Sequence, residues 1–570
     1  MGELKRAVVV GVISGTFMGF IDTYGYAVTG YTTSELAGIV ASILVLVIYR
    51  AIYGRQPSIF EHVLGVIISF GISVSTAITS GMYITYTMLA EVGNPTTLKL
   101  PEWLYFTGGG LNFATLSFYL YATAVSASGA LIAYVFHKHY IEIEKLPFPI
   151  GSAMSVMIEV GKVMRRRALL IAVVGGAVAE FAVIMLGNPS VDLTQAMQSM
   201  LPGSSVALSA DVFIFLLALL LPLNTSLGVG LGNIVTFTVL TPILVSEGLL
   251  ISLPSMSSSD LASAAAPYTA SMIIGFLVIS STIYFYQARK ALKETVRYLG
   301  MSKYLLRYFL IALGLIASTA LPLYLICRPP PLLLAVLPAY IGLQIFLALV
   351  TIKVVGEAGT ASQSTLPVAT LTLFASGARH AMPYVLLDPY TGVPMPQFVA
   401  GASLNAIKAG KSLDVDPEVP VFWLMVAMLV GAPITLMYGH ALLSVFGVSS
   451  PKLNLLRWVP VVTWMDSVYR GNFTSFDTFS IILGAVFAAS VFLILKALRL
   501  GGVSLYAVLI GTTLTPDVGL LFLIAAAIKY VAFRAGTDVY ESLLAYTSIA
   551  LAGAGIGVAL SVAASLAGVG

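Results

Sequence analysis

Long apolar segments recur along the whole chain, and they constrain its fold more than any motif does. A transmembrane helix needs about 20 predominantly apolar residues. Stretches of that length lie at residues 7–27, 34–53, 62–89, 110–136, 168–186, 208–223, 267–288, 308–327, 332–352, 420–446, 478–498 and 541–568. Shorter stretches, each interrupted by Gly, Pro or polar residues, lie at 225–246, 364–378, 503–513 and 517–533. We therefore expect an all-α polytopic membrane protein with about 12 spans and up to about 16 membrane elements, including re-entrant half-helices.

The composition leaves no room for a sizeable soluble domain. Of 570 residues, 58% are hydrophobic and only 9% are charged, and the mean hydropathy is +0.96. A soluble protein of this size needs far more polar surface. We expect one integral membrane unit with an N-terminal half at residues 1–290 and a C-terminal half at 291–570. The lipid bilayer is the expected partner, and a homo-oligomer is possible.

Several classes of function find no support in the sequence. There is no basic arm for nucleic acid. The single cysteine cannot make a thiolate metal site, and the histidines include no H-E-x-x-H pair. No G-x-S-x-G hydrolase motif occurs. We therefore expect no cofactor, no metal site, no nucleic-acid partner and no enzymatic activity.

The basic residues predict an orientation in the cell membrane. Cytoplasmic loops of membrane proteins carry an excess of Lys and Arg. The following residues all fall on the cytoplasmic side if the N-terminus is cytoplasmic: Lys5, Arg6, Arg50, Arg55, Lys138, Lys145, Arg165, Arg166, Arg167, Arg289, Lys290, Lys293, Arg297, Lys303 and Arg307. We therefore predict a multi-pass cell-membrane protein with a cytoplasmic N-terminus.

A short helix is predicted within residues 145–162, whose sequence is KLPFPIGSAMSVMIEVGK. On a helical period Ser152, Ser155, Glu159 and Lys162 share one face. The segment is too short to cross a bilayer, and basic residues flank it on both sides. We expect a re-entrant half-helix or a surface helix. Half-helices at membrane depth occur where protein buries them or a water-filled cavity lies beside them, so Glu159 is expected near a permeation path.

A second stretch resembles the first, at residues 395–414 with the sequence MPQFVAGASLNAIKAGKSLD. Its Phe398 and Gly401 stand where Phe148 and Gly151 stand in the first segment. The polar face here comprises Gly401, Asn405, Lys408 and Ser412, so Lys408 opposes the charge of Glu159. The similarity is consistent with an internal duplication, a common plan in transporters, and also with chance.

Further polar candidates lie inside the apolar segments. Asp22 and Glu180 fall within predicted spans, where an ionisable residue is costly, so each is a functional site or a buried hydrogen-bonding group. Residues 224–237 place three glycines on alternate positions between Asn224 and Asn233. This pattern indicates either a discontinuous helix facing a substrate or close helix packing by small residues.

Four stretches of the chain, two of them within the short helical segments, together resemble the oligopeptide transporter superfamily, which includes metal-chelate transporters. The stretches are LPFPIGSAM at 146–154, IFEHVLGVI at 59–67, SLNAIKAGKSL at 403–413 and IGTTLTPDVGLLFLIAAAIKYVAFR at 510–534. The resemblance implies about 16 membrane elements built from repeats. It also implies inward movement of peptides or metal chelates coupled to protons.

The functional hypothesis is a proton-coupled secondary transporter that imports a small peptide or a peptide-like metal chelate. A carboxylate in a low-dielectric cavity can take up and release a proton as the cavity changes sides. Glu159 is the first candidate for this role, followed by Glu180 and Asp22. The alternatives are a sodium-coupled carrier and a membrane-embedded hydrolase, in which Asp22 and Glu180 would face each other.

Binding roles follow from the two short helices and the glycine-rich segment. Lys408 and Asn405, with the helix start near Gly401, are expected to attract a substrate carboxylate. The polar face of the first short helix adds Ser152 and Ser155. The amides of Asn224 and Asn233 are expected to hold a peptide backbone.

Overall fold

The structure, a computed structural model, describes residues 2–29, 34–160, 166–327, 329–359, 367–448, 450, 453, 458–472, 475–498 and 503–566. The described chain is almost entirely helical, which confirms the predicted all-α polytopic class. In the N-terminal part the helices are α1 Glu3–Thr29, α2 Ser34–Tyr53, α3 Ile59–Thr76, α4 Met82–Gly93, α5 Pro95–Leu98, α6 Phe113–Ser126, α7 Ser128–His137, α8 Pro149–Val160, α9 Arg166–Met185, α10 Thr194–Met200, α11 Val212–Leu220, α12 Leu223–Val235, α13 Thr241–Ser246 and α14 Ser258–Met301. They continue with α15 Lys303–Ala317, α16 Ala320–Pro322, α17 Pro331–Ala358, α18 Pro367–Ala375, α19 Ala381–Leu387, α20 Pro396–Lys411, α21 Glu418–Phe446, α22 Val459–Tyr469, α23 Thr478–Ala497, α24 Leu505–Thr513, α25 Gly519–Ala535 and α26 Thr537–Leu566.

Within the described residues, 11 helical stretches are long and apolar enough to cross a membrane. Some of them are two helices joined by a π-helical turn. The turn Ala77–Gly81 joins α3 to α4, and Thr236–Leu240 joins α12 to α13. Lys138–Ile143 extends α7, and Leu323–Cys327 follows α16. A π-helical turn inserts one residue without breaking the helix, so each pair still spans as one unit.

The span predicted at residues 208–223 is interrupted. Helix α11 ends at Leu220, and Leu221 has extended backbone with ψ of 155°. Pro222 explains the break, because the residue before a proline is driven out of the helical region and proline has no N–H to donate. The span instead begins after the break and runs over Leu223–Ser246, where a shorter element was predicted.

The predicted boundary between the two halves falls inside a helix. Residues 290 and 291 both lie in α14, which is continuous across them. The halves are also packed together, because α1 and α9 contact α26, and α12 contacts α24 and α25. The only sheet among the described residues is a small hairpin of β1 Ser190–Asp192 and β2 Ala207–Ser209, in the connection between α9 and α11.

Helix pairs approach each other through glycines. A Cβ atom at Gly176 would collide with the backbone of Ala550, and one at Gly553 with the backbone of Val173, so α9 and α26 are close at two points. Small residues drive such close packing in membranes, where lipid tails are as apolar as leucine and burial alone supplies little stabilisation.

Candidate functional site

The two short helices, α8 and α20, cross in direct contact inside the bundle. The backbone N–H of Gly151 in α8 donates to Oδ1 of Asn405 in α20 across 3.1 Å. A Cβ atom at Gly151 would lie 2.5 Å from the Asn405 carbonyl oxygen and 3.0 Å from Lys408 Cβ. Only glycine permits this approach. The structure thus brings together the two segments that the sequence singled out, although Gly161 and Lys162 lie outside the described residues.

The start of α8 has an unusual backbone. Lys145 and Phe148 adopt left-handed φ angles of 56° and 42°, which a bulky residue such as phenylalanine rarely does. The N–H of Phe148 donates to the carbonyl of Gly356 in α17 across 3.0 Å, and Phe148 is fully buried. Pro149 then begins the helix at the position where its missing N–H costs nothing. The start of α8 is therefore held against α17.

Helix α8 does not lie on the protein surface. It is 12 residues long, too short to span, and packs against α2, α17 and α20. Its Met154 and Met157 are fully buried. One side of α8 therefore packs among other helices, while Glu159 near its end is exposed.

Helix α20 presents two polar atoms that no described residue satisfies. Asn405 and Gln397 are both fully buried. Nδ2 of Asn405 and Oε1 of Gln397 have no hydrogen-bond partner in the described part of the chain. A buried donor or acceptor without a partner costs about 1–3 kcal/mol. The sequence reasoning identified Asn405 but missed Gln397, which lies in the first turn of α20.

Three predicted binding residues make contacts within the fold, and their binding roles stay predictions. The Ser152 hydroxyl donates to the carbonyl of Pro147 across 2.9 Å, and the Ser155 hydroxyl donates to the carbonyl of Ser152 across 2.8 Å. Both bonds are local, as serine hydroxyls in helices often make. A Cβ atom at Gly401 would lie 2.6 Å from Val355 Cγ2, so Gly401 is the point where α20 packs on α17.

The two charged candidates differ in exposure. Glu159 is exposed near the end of α8, so the structure does not place it in the low-dielectric cavity that the sequence suggested. Lys408 is half-buried on α20. Another lysine of α20, Lys411, forms an ion pair with Glu142 and ties the end of α20 to the turn after α7.

The two acidic candidates inside spans are both buried. Asp22 on α1 is 3% exposed, and its Oδ2 accepts a hydrogen bond from the Ser73 hydroxyl of α3. Glu180 on α9 is 2% exposed and interacts with Asp211, with the backbone N–H of Phe213 and with Tyr24. The acid that interacts with Glu180 is therefore Asp211, which the sequence reasoning did not single out.

Asp211 also starts α11. Its Oδ1 accepts a hydrogen bond from the backbone N–H of Ile214 across 2.8 Å, so it is the N-cap of that helix. Oε2 of Glu180 is buried and has no hydrogen-bond partner among the described residues. The start of α11 thus brings two buried acidic residues, Glu180 and Asp211, into the same region of the bundle.

Asn233 holds the break between α24 and α25. Its Nδ2 lies 3.2 Å from the carbonyl oxygen of Gly511, 2.9 Å from that of Leu514 and 3.1 Å from that of Thr515. The carbonyls of Gly511 and Thr515 also accept long backbone bonds from Leu514 and Val518, across 3.4 Å and 3.3 Å. Nδ2 of Asn233 therefore helps to hold the connection between α24 and α25. Its Oδ1 is buried and has no hydrogen-bond partner among the described residues, and its contact with a peptide stays a prediction.

The glycine-rich segment around Asn233 is a continuous helix, not a discontinuous one. Gly228 faces Ala507 of α24, Gly230 faces Leu523 of α25, and a Cβ atom on Gly232 would collide with the backbone of Val508. The structure favours close helix packing, which was one of the two interpretations of the pattern. Asn224, at the start of the same helix, is exposed.

No protein-family model matches the chain. No curated protein is significantly similar to it either.

A polar network that the sequence reasoning missed lies just before α8. Glu144 lies 3.1 Å from His139 Nε2 and 3.3 Å from Lys353 Nζ, and it accepts a bond from the Tyr284 hydroxyl across 3.1 Å. Lys353 also pairs with Glu357 across 2.9 Å. Burial alone would raise a carboxyl pKa, but the bonds from His139 and Lys353 outweigh it and hold the pKa of Glu144 below its ordinary value. The network joins α14 and α17 to the turn after α7.

Another acidic residue that the sequence did not single out, Asp388, lies in the connection between α19 and α20. Asp388 is completely buried and accepts bonds from the Thr370 hydroxyl across 2.7 Å, the Thr391 hydroxyl across 2.6 Å and the Tyr390 backbone N–H across 3.1 Å. The carbonyl of Thr391 in turn accepts a bond from the Tyr86 hydroxyl across 2.7 Å. The sequence D-P-Y-T-G signals a turn, and an acid within a long uncharged stretch could have flagged it.

Metal ligands are not clustered in the described part of the chain. No group of three or more His, Cys, Asp or Glu side chains there is placed to hold a metal ion. What the arrangement offers is unmatched hydrogen-bonding groups on α20, a half-buried lysine beside them, and a buried pair of acids at the start of α11.

Proposed function

We propose that this protein is a proton-coupled secondary transporter that imports short peptides or peptide-like metal chelates across a cell membrane. The observation that carries the proposal is the crossing of α8 and α20. Short helices among spans occur where protein buries them or a water-filled cavity lies beside them, and here the two helices meet at Gly151 and Asn405. The family resemblance of the same two segments supports this function, and so do the many membrane-spanning helices.

The unmatched atoms of α20 support the proposed substrate class. Gln397 Oε1 can accept a hydrogen bond and Asn405 Nδ2 can donate one. A peptide backbone offers both an N–H and a C=O, so one short peptide can satisfy both side chains. Lys408, half-buried on the same helix, supplies a positive charge for a substrate carboxylate. A peptide-like metal chelate carries the same groups.

The coupling proton has two classes of candidate site. Glu159 on α8 is the exposed candidate. Glu180 on α9 is the buried one, and it interacts with Asp211. Asp22 on α1, whose carboxylate accepts a hydrogen bond from Ser73, is the third candidate.

The test is uptake into proteoliposomes that contain the purified protein, with labelled dialanine as the probe and an imposed pH gradient. We expect accumulation that requires an acidic exterior and persists when choline replaces sodium. Glu180→Gln should abolish gradient-driven accumulation while leaving exchange of dialanine across the membrane. Glu159→Gln should change the pH dependence of uptake.

Three outcomes would contradict the proposal. Uptake that requires sodium at fixed pH would favour the sodium-coupled carrier. Equilibration without accumulation in the parent protein would indicate a passive channel. Hydrolysis of dialanine by the purified protein in detergent would favour the membrane-embedded hydrolase.

A further inference from the structure

A lysine is buried inside the bundle, away from the sites described so far. Lys529 lies on α25 and is 0% exposed. The residues around it in α25 are mainly apolar, as the sequence GLLFLIAAAIKYVAFRA shows. An ionisable residue at membrane depth is costly and is a functional candidate unless its surroundings explain it.

Three oxygen atoms surround the ammonium group of Lys529. Nζ of Lys529 lies 2.8 Å from the carbonyl oxygen of Ala218, 2.6 Å from that of Leu221 and 2.6 Å from the Ser226 hydroxyl oxygen. The Ser226 hydroxyl donates its own proton to the carbonyl of Ala218 across 2.7 Å, so towards Lys529 it acts as an acceptor. An ammonium group has three N–H donors, and each has one acceptor here.

These oxygens are available because the helix is broken. In a continuous helix the carbonyl of Ala218 would accept from the N–H of residue 222, but residue 222 is proline and has none. The carbonyl of Leu221 lies in the extended turn between α11 and α12. The end of α11 also carries the partial negative charge of a helix C-terminus. Ends of broken helices with free carbonyls are the sites at which membrane transporters bind sodium ions.

No carboxylate neutralises this lysine in the described part of the chain. The salt bridges found there do not include Lys529. The helices α11 and α12, which pack against α25, contain no ionisable side chain. On α26, which also packs against α25, Asp538 and Glu541 are exposed, and Tyr540 interacts with the backbone of Leu223.

On α25 itself Arg534 is exposed, and Asp211 lies at the other end of α11. All three atoms that contact the ammonium are therefore uncharged oxygens. That is a ligand set suited to a monovalent cation, because it compensates one positive charge by dipoles without supplying a full negative charge.

We propose that Ala218, Leu221 and Ser226 form a monovalent-cation site at the α11–α12 break, and that the ammonium of Lys529 occupies it in place of a sodium ion. The chain thereby carries its own cation at a position where a sodium-coupled carrier would bind one. The existence of the site does not depend on transport. Its consequence, that substrate movement needs no sodium, rests on the proposed function.

The experiment removes the ammonium and offers sodium instead. The thermal midpoint of the purified full-length protein is measured in NaCl and in choline chloride at equal ionic strength. In Lys529→Ala we expect sodium to raise the midpoint by about 2 °C or more relative to choline, because an ion that binds only the folded state stabilises it. The parent protein should show the same midpoint in both salts.

Two further variants separate a cation site from a general salt effect. Lys529→Met fills the space with an uncharged chain and should not respond to sodium. Lys529→Ala combined with Ser226→Ala lacks one ligand and should lose most of the sodium response. Lys529→Ser is the second variant if Lys529→Ala does not fold, and it should show the same sodium-specific rise.

The outcomes decide the proposal in either direction. A folded Lys529→Ala or Lys529→Ser protein with equal midpoints in both salts would overturn it. So would failure of both variants to fold in sodium, since sodium would then not replace the ammonium. Because this readout needs no substrate, an absence of dialanine uptake by the parent would count against the transport function and leave the cation site standing.

Discussion

Gly151 and Asn405 are 254 residues apart in the chain and share a hydrogen bond of 3.1 Å. The bond runs from a backbone N–H in the first turn of α8, where helix donors lack a partner within the helix, to a side-chain oxygen of α20. The bond therefore gives one N–H group at the start of α8 a partner and holds the two helices in contact.

Replacing Gly151 by alanine should destabilise the protein. The new Cβ atom would lie 2.5 Å from the Asn405 carbonyl oxygen, so one helix must move, at a cost of about 1–3 kcal/mol in the free energy of unfolding. Thermal unfolding of the purified variant measures this. Gly342→Ala in α17 is the matched control, because no atom lies within 4 Å of its Cβ position, and it should be neutral or slightly stabilising. Equal midpoints for the two variants would show that α8 and α20 do not touch as described.

Replacing Asn233 by alanine should also destabilise the protein. The change leaves the carbonyls of Gly511, Leu514 and Thr515 without their common donor, at a cost of about 1–3 kcal/mol. Asn224→Ala, on the same helix but exposed, should stay within about 0.5 kcal/mol of the parent. If dialanine uptake falls in Asn224→Ala and stability falls in neither variant, the result would support the predicted peptide-binding role of these amides.

Replacing Lys145 by glycine should stabilise the protein. Lys145 is exposed and has a left-handed φ of 56°, a conformation that costs a residue with a side chain roughly 1–2 kcal/mol and glycine almost nothing. Part of this gain is offset by the larger entropy that glycine has in the unfolded chain. Lys138→Gly removes the same charge within the helical turn Lys138–Ile143. It should lower the free energy of unfolding by about 0.5–1 kcal/mol. Opposite shifts of the thermal midpoint are expected; shifts of one sign would contradict the described backbone.

Acidification should weaken the network around Glu144. Although burial opposes it, the bonds from His139 and Lys353 keep the folded-state pKa of Glu144 below its ordinary value of 4.5. A carboxyl group with a lowered folded-state pKa contributes stability above its unfolded-state pKa and loses it as the pH falls through the folded-state value. The thermal midpoint of the parent should therefore decline more steeply below about pH 4.5 than that of Glu144→Gln, and the two curves should converge at low pH. Parallel curves over that range would show that the network contributes nothing.

Much of the architecture was predictable from residue order. Bilayer thickness imposes a minimum length on every apolar segment, and that length can be counted along the chain. Most of the spans, the short helix after Lys145 and its counterpart after Met395 were recognised in this way. The break at Leu221 was missed, although Pro222 signals it, because the apolar run continues across the proline without a change in composition.

The candidate site was less predictable, because a polar residue does not reveal its partner. Asn233 and Asn405 look alike in sequence, yet Nδ2 of Asn233 lies within hydrogen-bonding distance of three carbonyls, while Nδ2 of Asn405 has no partner among the described residues. Asp22 and Glu180 were both recognised as costly acids, but Asp211 was missed because it lies at a helix start, where aspartate is common. Lys529 was overlooked although the rule for ionisable residues within apolar segments applies to it directly.

Local properties of the chain were enough to establish an all-helical membrane protein with two short helices of opposite charge, since hydrophobic length and helical period need no knowledge of neighbours. Contacts between distant segments decided the rest. Only folding places Asn405 against Gly151 and brings Lys529 to the carbonyls that Pro222 leaves free. The cost of a buried charge or an unmatched donor depends on the atoms within about 3 Å of it, and the order of residues does not specify those atoms.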